Sequence, residues 1–567
     1  MLETLLSLCL ALSGKKPKRS APRRRPGFHR PSHRPRMEVL EDRCLLSAGA
    51  LDPTFGNGAG YVITSLTNGI DNGSAPLIQP DGKIIVPGPA TTILKHGSST
   101  VVSLVRYNPD GSLDTSFGNG GEVIGPVTAY GDVTAALYPT ATAPKIVVSG
   151  IGTTLSHGVH GFSIARFNAN GSLDSSFGTN GIATANFGPA LNTYGTDSVV
   201  VQPDGKIVAL GTAGGNTVAS YQTLELARFN ANGTLDTTFG SGGLLSDLRL
   251  AVPITNSLLL QPDGKLLVEG QEPQGTSNGL ELARYNADGS WDNTFGSNGL
   301  VIDTWFSSPA SAALYPLAGT ANDGKIVVGG DHLVGLTNTW ALTRYNPNGS
   351  IDGTFGAGGR VTTQLPDNQV QVYAVAIQAD GRIVAAGDGP VGGPTDPLGV
   401  VRYNADGSLD STFGNSGIVT TLIGGRFVLG SNGGGMALQP NGDIVVAGSS
   451  WNGSKYNFVV ARYLPSEPEI GSFTASASTV SAGSNVLLTA SNITDGNPAS
   501  TITQVSFYYI DGSGNKVTLG TGTQTSTGVW TLNYTVNLAT GTYTIDAQAE
   551  DSYGVFGDPF ALTLTVQ

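Results

Sequence analysis

Beyond its first fifty residues the chain has no cysteine; its two are Cys9 and Cys44. A disulfide framework is therefore excluded from the body of the molecule. Charge is scarce as well, with only 13% of the 567 residues being Asp, Glu, Lys or Arg. The net charge of −12 is unevenly split. Residues 1–50 hold 11 Lys and Arg against 4 acids, a net +7, and residues 51–567 hold 19 against 38, a net −19. An acidic body excludes nucleic acid as its partner, because phosphate binding needs a basic surface. No apolar run approaches the roughly 18 residues that make a membrane-spanning helix, so no integral membrane segment is expected. The spacings GxSxG, HExxH and the P-loop are missing. The glycines Gly433, Gly434 and Gly435 are turn material, because no Lys-Ser/Thr follows them.

What the chain does have is glycine, 80 residues of it, beside 39% hydrophobic residues. That combination describes a turn-rich β protein with enough apolar material for a core.

One stretch recurs. RYNPDGSLDTSFGNGG begins at Arg106, and close copies begin at Arg166, Arg228, Arg284, Arg344 and Arg402. The second half stands alone at the start (Leu51 onward, LDPTFGNGAG), and the first half alone near the end (Ala461 onward, ARYLP). Each period of about 60 residues reads as four short β-branched strands punctuated by turns. One strand follows the Phe-Gly turn. The next runs into Gln-Pro-Asp-Gly, a third leaves it, and a fourth runs into Arg-Tyr-Asn. Asp81-Gly82, Asp204-Gly205, Asp263-Gly264, Asp323-Gly324, Asp380-Gly381 and Asn441-Gly442 are expected as two-residue hairpin turns with both residues at positive φ. Two repeats lengthen this corner, at Leu137–Lys145 and at Asn322–Gly324, which suggests loops on a surface rim.

Seven Asp landmarks (Asp52, Asp114, Asp174, Asp236, Asp292, Asp352, Asp410) face seven Arg landmarks (Arg106, Arg166, Arg228, Arg284, Arg344, Arg402, Arg462). Inside the chain each Arg precedes its Asp by eight residues, which leaves Asp52 and Arg462 without local partners. A closed ring would bring those two together, whereas a linear solenoid would leave both ends incomplete. Seven units of four strands therefore predict a seven-bladed β-propeller over 51–465, with the Arg and Asp landmarks as structural joints. The pattern LDxxFGxxG, QPDGKIVVAG, ARYNxDGS resembles the delta-60 repeat family of bacterial proteins. That resemblance implies a propeller and no established reaction.

The leader, residues 1–50, is read as a disordered basic segment. Its apolar stretch Leu2–Ser13 precedes the basic run Lys15–Arg36, the reverse of a secretory signal. Leu40-Glu41-Asp42-Arg43-Cys44-Leu45-Leu46-Ser47-Ala48 resembles the LEPR-xLL motif of exported and surface bacterial proteins, with Asp42 in place of proline. The resemblance implies export to the cell surface or medium and cleavage near Ala48.

The last segment, 466–567, changes character after Pro465 and Pro468. Seven alternating Thr/Ser/Val runs in about 100 residues suit an immunoglobulin-like β-sandwich. The segment resembles the Ig-like modules appended to bacterial surface proteins. Trp530 and Tyr543 are expected as core or strand-edge anchors.

Candidate chemistry is thin. Asn108, Asp110 and Asp114 have the oxygen-rich spacing of a weak calcium loop, but three repeats replace the middle position with Asn170, Asn232 and Asn348, and the terminal bidentate acid is missing. No other cofactor is implied. Outside the leader the histidines are His96, His157, His160 and His332, with no third ligand to pair with His157 and His160. The functional expectation is a binding or scaffold protein, not an enzyme, presenting propeller loops to a protein or glycan. A secreted glycosidase or lyase is the alternative, and calcium-dependent adhesion the third reading. The enzyme would show paired carboxylates from different blades.

Overall fold

The computed structural model describes residues 48–567 except 130–132, 141–142, 156–158, 188–191, 215–222, 248–253, 275–276, 336, 366–370, 389–396, 430–434, 466–467, 496–500, 513–514, 553–555 and 558. The described residues form strands and turns, with no helix.

Seven antiparallel sheets correspond to the seven repeats. The first blade runs Leu77–Ile78, Ile84–Ile93, Ser98–Tyr107, Glu122–Thr128. The second ends on Ile182–Ala185 and the fourth on Leu300–Asp303. The fifth runs Ser308–Leu314, Ile326–Val334, Thr337–Tyr345, Arg360–Thr363, and the sixth Val372–Ile377, Ile383–Asp388, Leu398–Tyr403, Ile418–Thr421. The strand after the Phe-Gly turn is therefore the fourth of its blade. First strands of neighbouring blades touch one another, which puts them at the centre of the ring and the fourth strands at its rim.

The ring closes as the split motif requires. In the seventh blade, Ile444–Trp451 pairs with Tyr456–Tyr463, whose outer partner is Tyr61–Thr64 from the other end of the chain. Tyr61 lies opposite Ala461 and Thr64 opposite Phe458.

Period-two alternation explains why blades stack. Both faces of each sheet are apolar, so each is buried against a neighbour. Seven hydrophobic clusters result, one per blade interface. The cluster at the closure joins Phe55, Ile84, Val86 and Tyr107 to Val445, Ala447, Phe458 and Val460.

The hairpin turns differ from expectation in one respect. Only the glycine takes positive φ, for example Gly82 at 79° and Gly205 at 81°, while Asp81 and Asp204 do not. The Gly82 N–H bonds the Gln79 carbonyl and the Gln79 N–H bonds the Lys83 carbonyl. The same turn forms where alanine precedes, at Ala379-Asp380-Gly381, so the reason is the loop type: a type I turn closed by a left-handed glycine puts only the glycine at positive φ.

The C-terminal residues form two sheets over one core. Pro468–Ala475, Asn485–Asp495, Val529–Thr535 and Thr523–Ser526 make one sheet. Thr479–Val480, Phe560–Val566, Gly541–Asp551, Ile502–Ile510 and Lys516–Thr521 make the other. Phe473, Leu488 and Trp530 meet Phe507, Ile545 and Leu564 between them. Two strands escape the sequence reading. Thr479–Val480 is two residues long and pairs in parallel with the end of the last strand, and Thr523–Ser526 is wholly exposed and has no apolar alternation.

Candidate functional site

The repeated joint comes first, because it shows which polar groups are structural. In the first blade Arg106 Nε donates to Asp114 Oδ2 at 2.7 Å, and Lys83 Nζ reaches the same oxygen at 2.8 Å. Arg106 Nη1 crosses to the Ala169 carbonyl of the next blade, and its guanidinium covers the Phe117 ring. The same set recurs at Arg166–Asp174, Arg228–Asp236, Arg284–Asp292, Arg344–Asp352 and Arg402–Asp410. Burial alone would push the Asp114 carboxyl up, but hydrogen bonds from Lys83 and Ser116 and the Arg106 charge hold it well below the usual carboxylate range. At the closure Arg462 Nε donates to Asp52 Oδ2 at 2.7 Å.

The seventh copy of the motif is split between Pro465 and Ala48. Pro465 accepts from Arg402 Nη1, as Ala169 does from Arg106. Ala48 is fully buried and its carbonyl accepts the Gly414 N–H at 2.8 Å, the place held by Asp110 opposite Gly56. Pro465 is thus part of the ring.

The calcium candidates do not converge. Asp110 is engaged by the Ser112 N–H and hydroxyl, Asn108 donates its amide to Ser112 Oγ and the Leu113 carbonyl, and Asp114 faces Lys83 and Arg106. His157 lies outside the described residues, as does the side chain of His160.

The groups that break the repeat gather at the other end of blades four to six, away from the Gln-Pro-Asp-Gly turns. In blades three to six the second strand carries a glycine where the first strand of the same blade bulges. A Cβ on Gly387 would stand 1.9 Å from the Gln371 carbonyl oxygen. The residue after that glycine is Thr212, Gln271, Asp331, Asp388 or Ser449 in blades three to seven. Several of these reach the next blade's first strand. Gln271 Nε2 donates to the Pro309 carbonyl, Asp331 Oδ1 accepts the Val372 N–H at 3.2 Å, and Ser449 Oγ accepts the Gly73 N–H.

Asp331 and Asp388 occupy this same place in successive blades. Tyr373 stands in the bulge between Val372 and Ala374, the kind of irregularity that re-aims a side chain. Its hydroxyl donates to Gln371 Oε1. Burial, reinforced by the nearby Asp388, pushes the Asp331 carboxyl well above the usual range. Burial and the charges of Asp388 and Asp331 push the Tyr373 phenol up, with Arg426 acting in the opposite sense. Two carboxyls from different blades and a phenol thus share one poorly solvated corner.

His332 follows Asp331 and so points to the opposite face of the strand. Its ring stacks on Trp305 with centroids 4.4 Å apart and 16° between planes. Nδ1 bonds the Trp305 carbonyl at 2.6 Å, so the neutral ring carries its proton there and leaves Nε2 as an acceptor. Arg360 lies 5.0 Å from the Trp305 ring centre, and its Nη2 is 2.8 and 2.9 Å from the two Asp303 oxygens. Trp305, His332, Val334 and Arg360 line an open cleft of about 710 Å³. The sequence assigns His332 no role and gives no place to Trp305, Arg360, Asp331, Tyr373 and Asp388. The available signal was departure from the repeat: Arg360 stands where other blades have Tyr61, Glu122, Ile182, Leu244, Leu300 and Ile418.

A family model described as a domain of unknown function (DUF5122) β-propeller matches 79–117, 145–177, 202–239, 261–295, 321–355, 378–413 and 439–466. The seven blades are DUF5122 β-propeller repeats. Every DUF5122 match but the last ends on the Phe of a Phe-Gly turn, and all but 145–177 take in the Gln-Pro-Asp-Gly corner or its counterpart. None of the curated proteins compared is detectably similar to the chain.

Solved structures with a likeness include the polysaccharide lyase Uly1 (TM-score 0.40, 11% identity, 69% of this chain and 90% of that one). A glucose dehydrogenase follows (0.32, 12%, 58% and 96%), as does the GH43_1 enzyme of Xanthomonas citri complexed with xylotriose (0.23, 11%, 56% and 90%). At these values the likeness concerns the fold alone. The expectation that the chain is not an enzyme is nonetheless corrected by these neighbours. They are enzymes, a lyase and a glycoside hydrolase among them, so a propeller without a recognisable sequence motif is no ground for excluding catalysis.

Proposed function

We propose that the protein is exported and that the non-turn end of blades four to six holds a glycan. The observation that carries this reading is the half-buried Trp305–His332 stack beside Arg360, set in an open cleft. Aromatic rings offer the flat apolar surface that a pyranose CH face covers, and the neighbouring acceptor (His332 Nε2) and guanidinium donors suit its hydroxyls. Across the same strand, the Asp331, Tyr373 and Asp388 corner adds hydrogen-bonding groups from a second blade. Export rests on the Leu40–Ala48 resemblance. Binding by the purified full-length protein to a panel of immobilised neutral and acidic oligosaccharides, followed by calorimetry on any glycan retained, tests the reading. Retention lost in Trp305→Ala supports it. A panel on which nothing is retained, or on which Trp305→Ala behaves as wild type, overturns it. Fractionation of the native cells tests export.

A further inference from the structure

The seventh blade departs from the other six at one charged position. A cation leads from the corner into the second strand in each of the others and meets the joint aspartate: Lys83, Lys145, Lys206, Lys265, Lys325 and Arg382, at 2.8–3.1 Å. In the seventh blade that position is Asp443. The backbone register is unchanged, since the Gln439 N–H bonds the Asp443 carbonyl as the Gln202 N–H bonds that of Lys206. The sign of the charge is therefore reversed at the one joint whose two halves come from opposite ends of the chain.

The groups around Asp443 are few. Arg462, on the third strand, has Nε 3.7 Å from Asp443 Oδ2 while it donates to Asp52 at 2.7 Å. Asn441, on the same hairpin, donates to Asp443 Oδ2 at 2.7 Å. Asp52 contributes a second carboxylate from the N-terminal segment. Beyond them a cleft of about 730 Å³ is lined by Asp81 and Asp110 of the first blade, and Arg462 is the one cation on its walls among the described residues. One guanidinium thus serves two buried carboxylates, where every other joint has two cations for one.

We propose that this joint is a proton-sensitive latch: the ring is held most firmly when Asp443 carries a proton and loosens at the seam when it ionises. Burial, which exceeds the opposing help from Asn441 and Arg462, raises the Asp443 carboxyl to about 6, with Asp52 adding to the rise. In the unfolded chain such a carboxyl titrates near 4. The folded state therefore binds the extra proton between about pH 4 and pH 6, and seam stability falls as pH rises through that window. The adjoining element is the rim strand Tyr61–Thr64, paired on one edge alone to Tyr456–Tyr463. It is the strand that would detach.

Hydrogen exchange at pH 5.0 and pH 7.5, corrected for intrinsic rates, tests this on the intact protein. The rim strand Ile182–Ala185 of the second blade, whose joint has Lys145, is the internal control. Tyr61–Thr64 is expected to open about tenfold or more often at the higher pH, with the control strand unchanged. Asp443→Asn should abolish the difference, and Asp443→Lys should protect the seam at both values. A seam strand that tracks the control at both pH values, or an Asp443→Asn variant that keeps the response, overturns the proposal. Asp443→Asn is nearly isosteric, so the test stands even where the lysine variant fails to fold.

Discussion

Arg462 and Asp52 are 410 residues apart in sequence and 2.7 Å apart in space. Their pairing reproduces at the closure the contact that each of the other six blades makes across eight residues. The joint is inter-strand through Nε and inter-blade through Nη1, which reaches the Pro109 carbonyl of the first blade. The closure therefore uses side chains as well as the Tyr61–Thr64 ladder.

Breaking that pair should open the ring. Both side chains are under 8% exposed, and removal of one partner leaves a buried charge, which costs roughly 3–5 kcal/mol. Arg462→Ala is expected to lower the unfolding free energy by that order and to expose Tyr61–Thr64 to exchange first. Arg166→Ala, which cuts an internal joint, should destabilise similarly without releasing Tyr61–Thr64 selectively.

Glu225 adds a second pH response, in the third blade. Its side chain is buried, Oε1 is 3.3 Å from the Ser246 hydroxyl, and Oε2 has no hydrogen-bond partner among the described residues. Burial raises it to about 7, and the Ser246 bond offsets only part of this. Because its folded value lies above the unfolded one near 4.3, stability falls as pH rises from about 4 to 7. Glu225→Gln should raise stability at pH 8 by the order of 2 kcal/mol. Little change is expected at pH 4. Chemical denaturation at the two pH values reads the difference.

The glycine before Asp388 should tolerate no side chain. A Cβ at Gly387 meets backbone, the Gln371 carbonyl oxygen at 1.9 Å, and the Trp340 ring at 2.8 Å. Gly387→Ala is expected to cost about 2 kcal/mol or more by overpacking and to displace the bulge that carries Tyr373. Thermal unfolding checks the first effect, and loss of glycan retention the second.

The two polar corners of the proposed glycan site are separable. Trp305→Ala removes a half-buried ring from an open cleft and should change stability by under about 1 kcal/mol while reducing glycan affinity by tenfold or more. Tyr373→Phe keeps the ring and removes only the hydroxyl that bonds Gln371. It should weaken binding less than Trp305→Ala if the stack is the main contact. Calorimetry on the two variants with the same glycan ranks them.

Much of the ring was legible because its signals are local. Asp-Gly after proline sets a corner, Arg and Asp eight apart set a joint, and alternation sets two buried faces. Each occurs within a dozen residues and is repeated, so chance is averaged out. The turn geometry was misjudged because a type I turn closed by a left-handed glycine, unlike a two-residue hairpin, needs positive φ at the glycine alone. The short strands of the C-terminal sheets were hidden because neither carries an apolar pattern.

By itself the sequence determined that the chain makes seven similar blades and that its two ends complete one motif, since both follow from counting and from local backbone preferences. Only the tertiary structure decided which polar residues meet. Asp331, Tyr373 and Asp388 come from two strands of one blade and one strand of its neighbour, and Trp305, just after the rim strand of the fourth blade, meets His332 and Arg360 of the fifth. These residues have no mutual spacing in the chain. They converge because wedge-shaped packing turns each blade against the next, and because a bulge, invisible in the residue pattern, re-aims Tyr373.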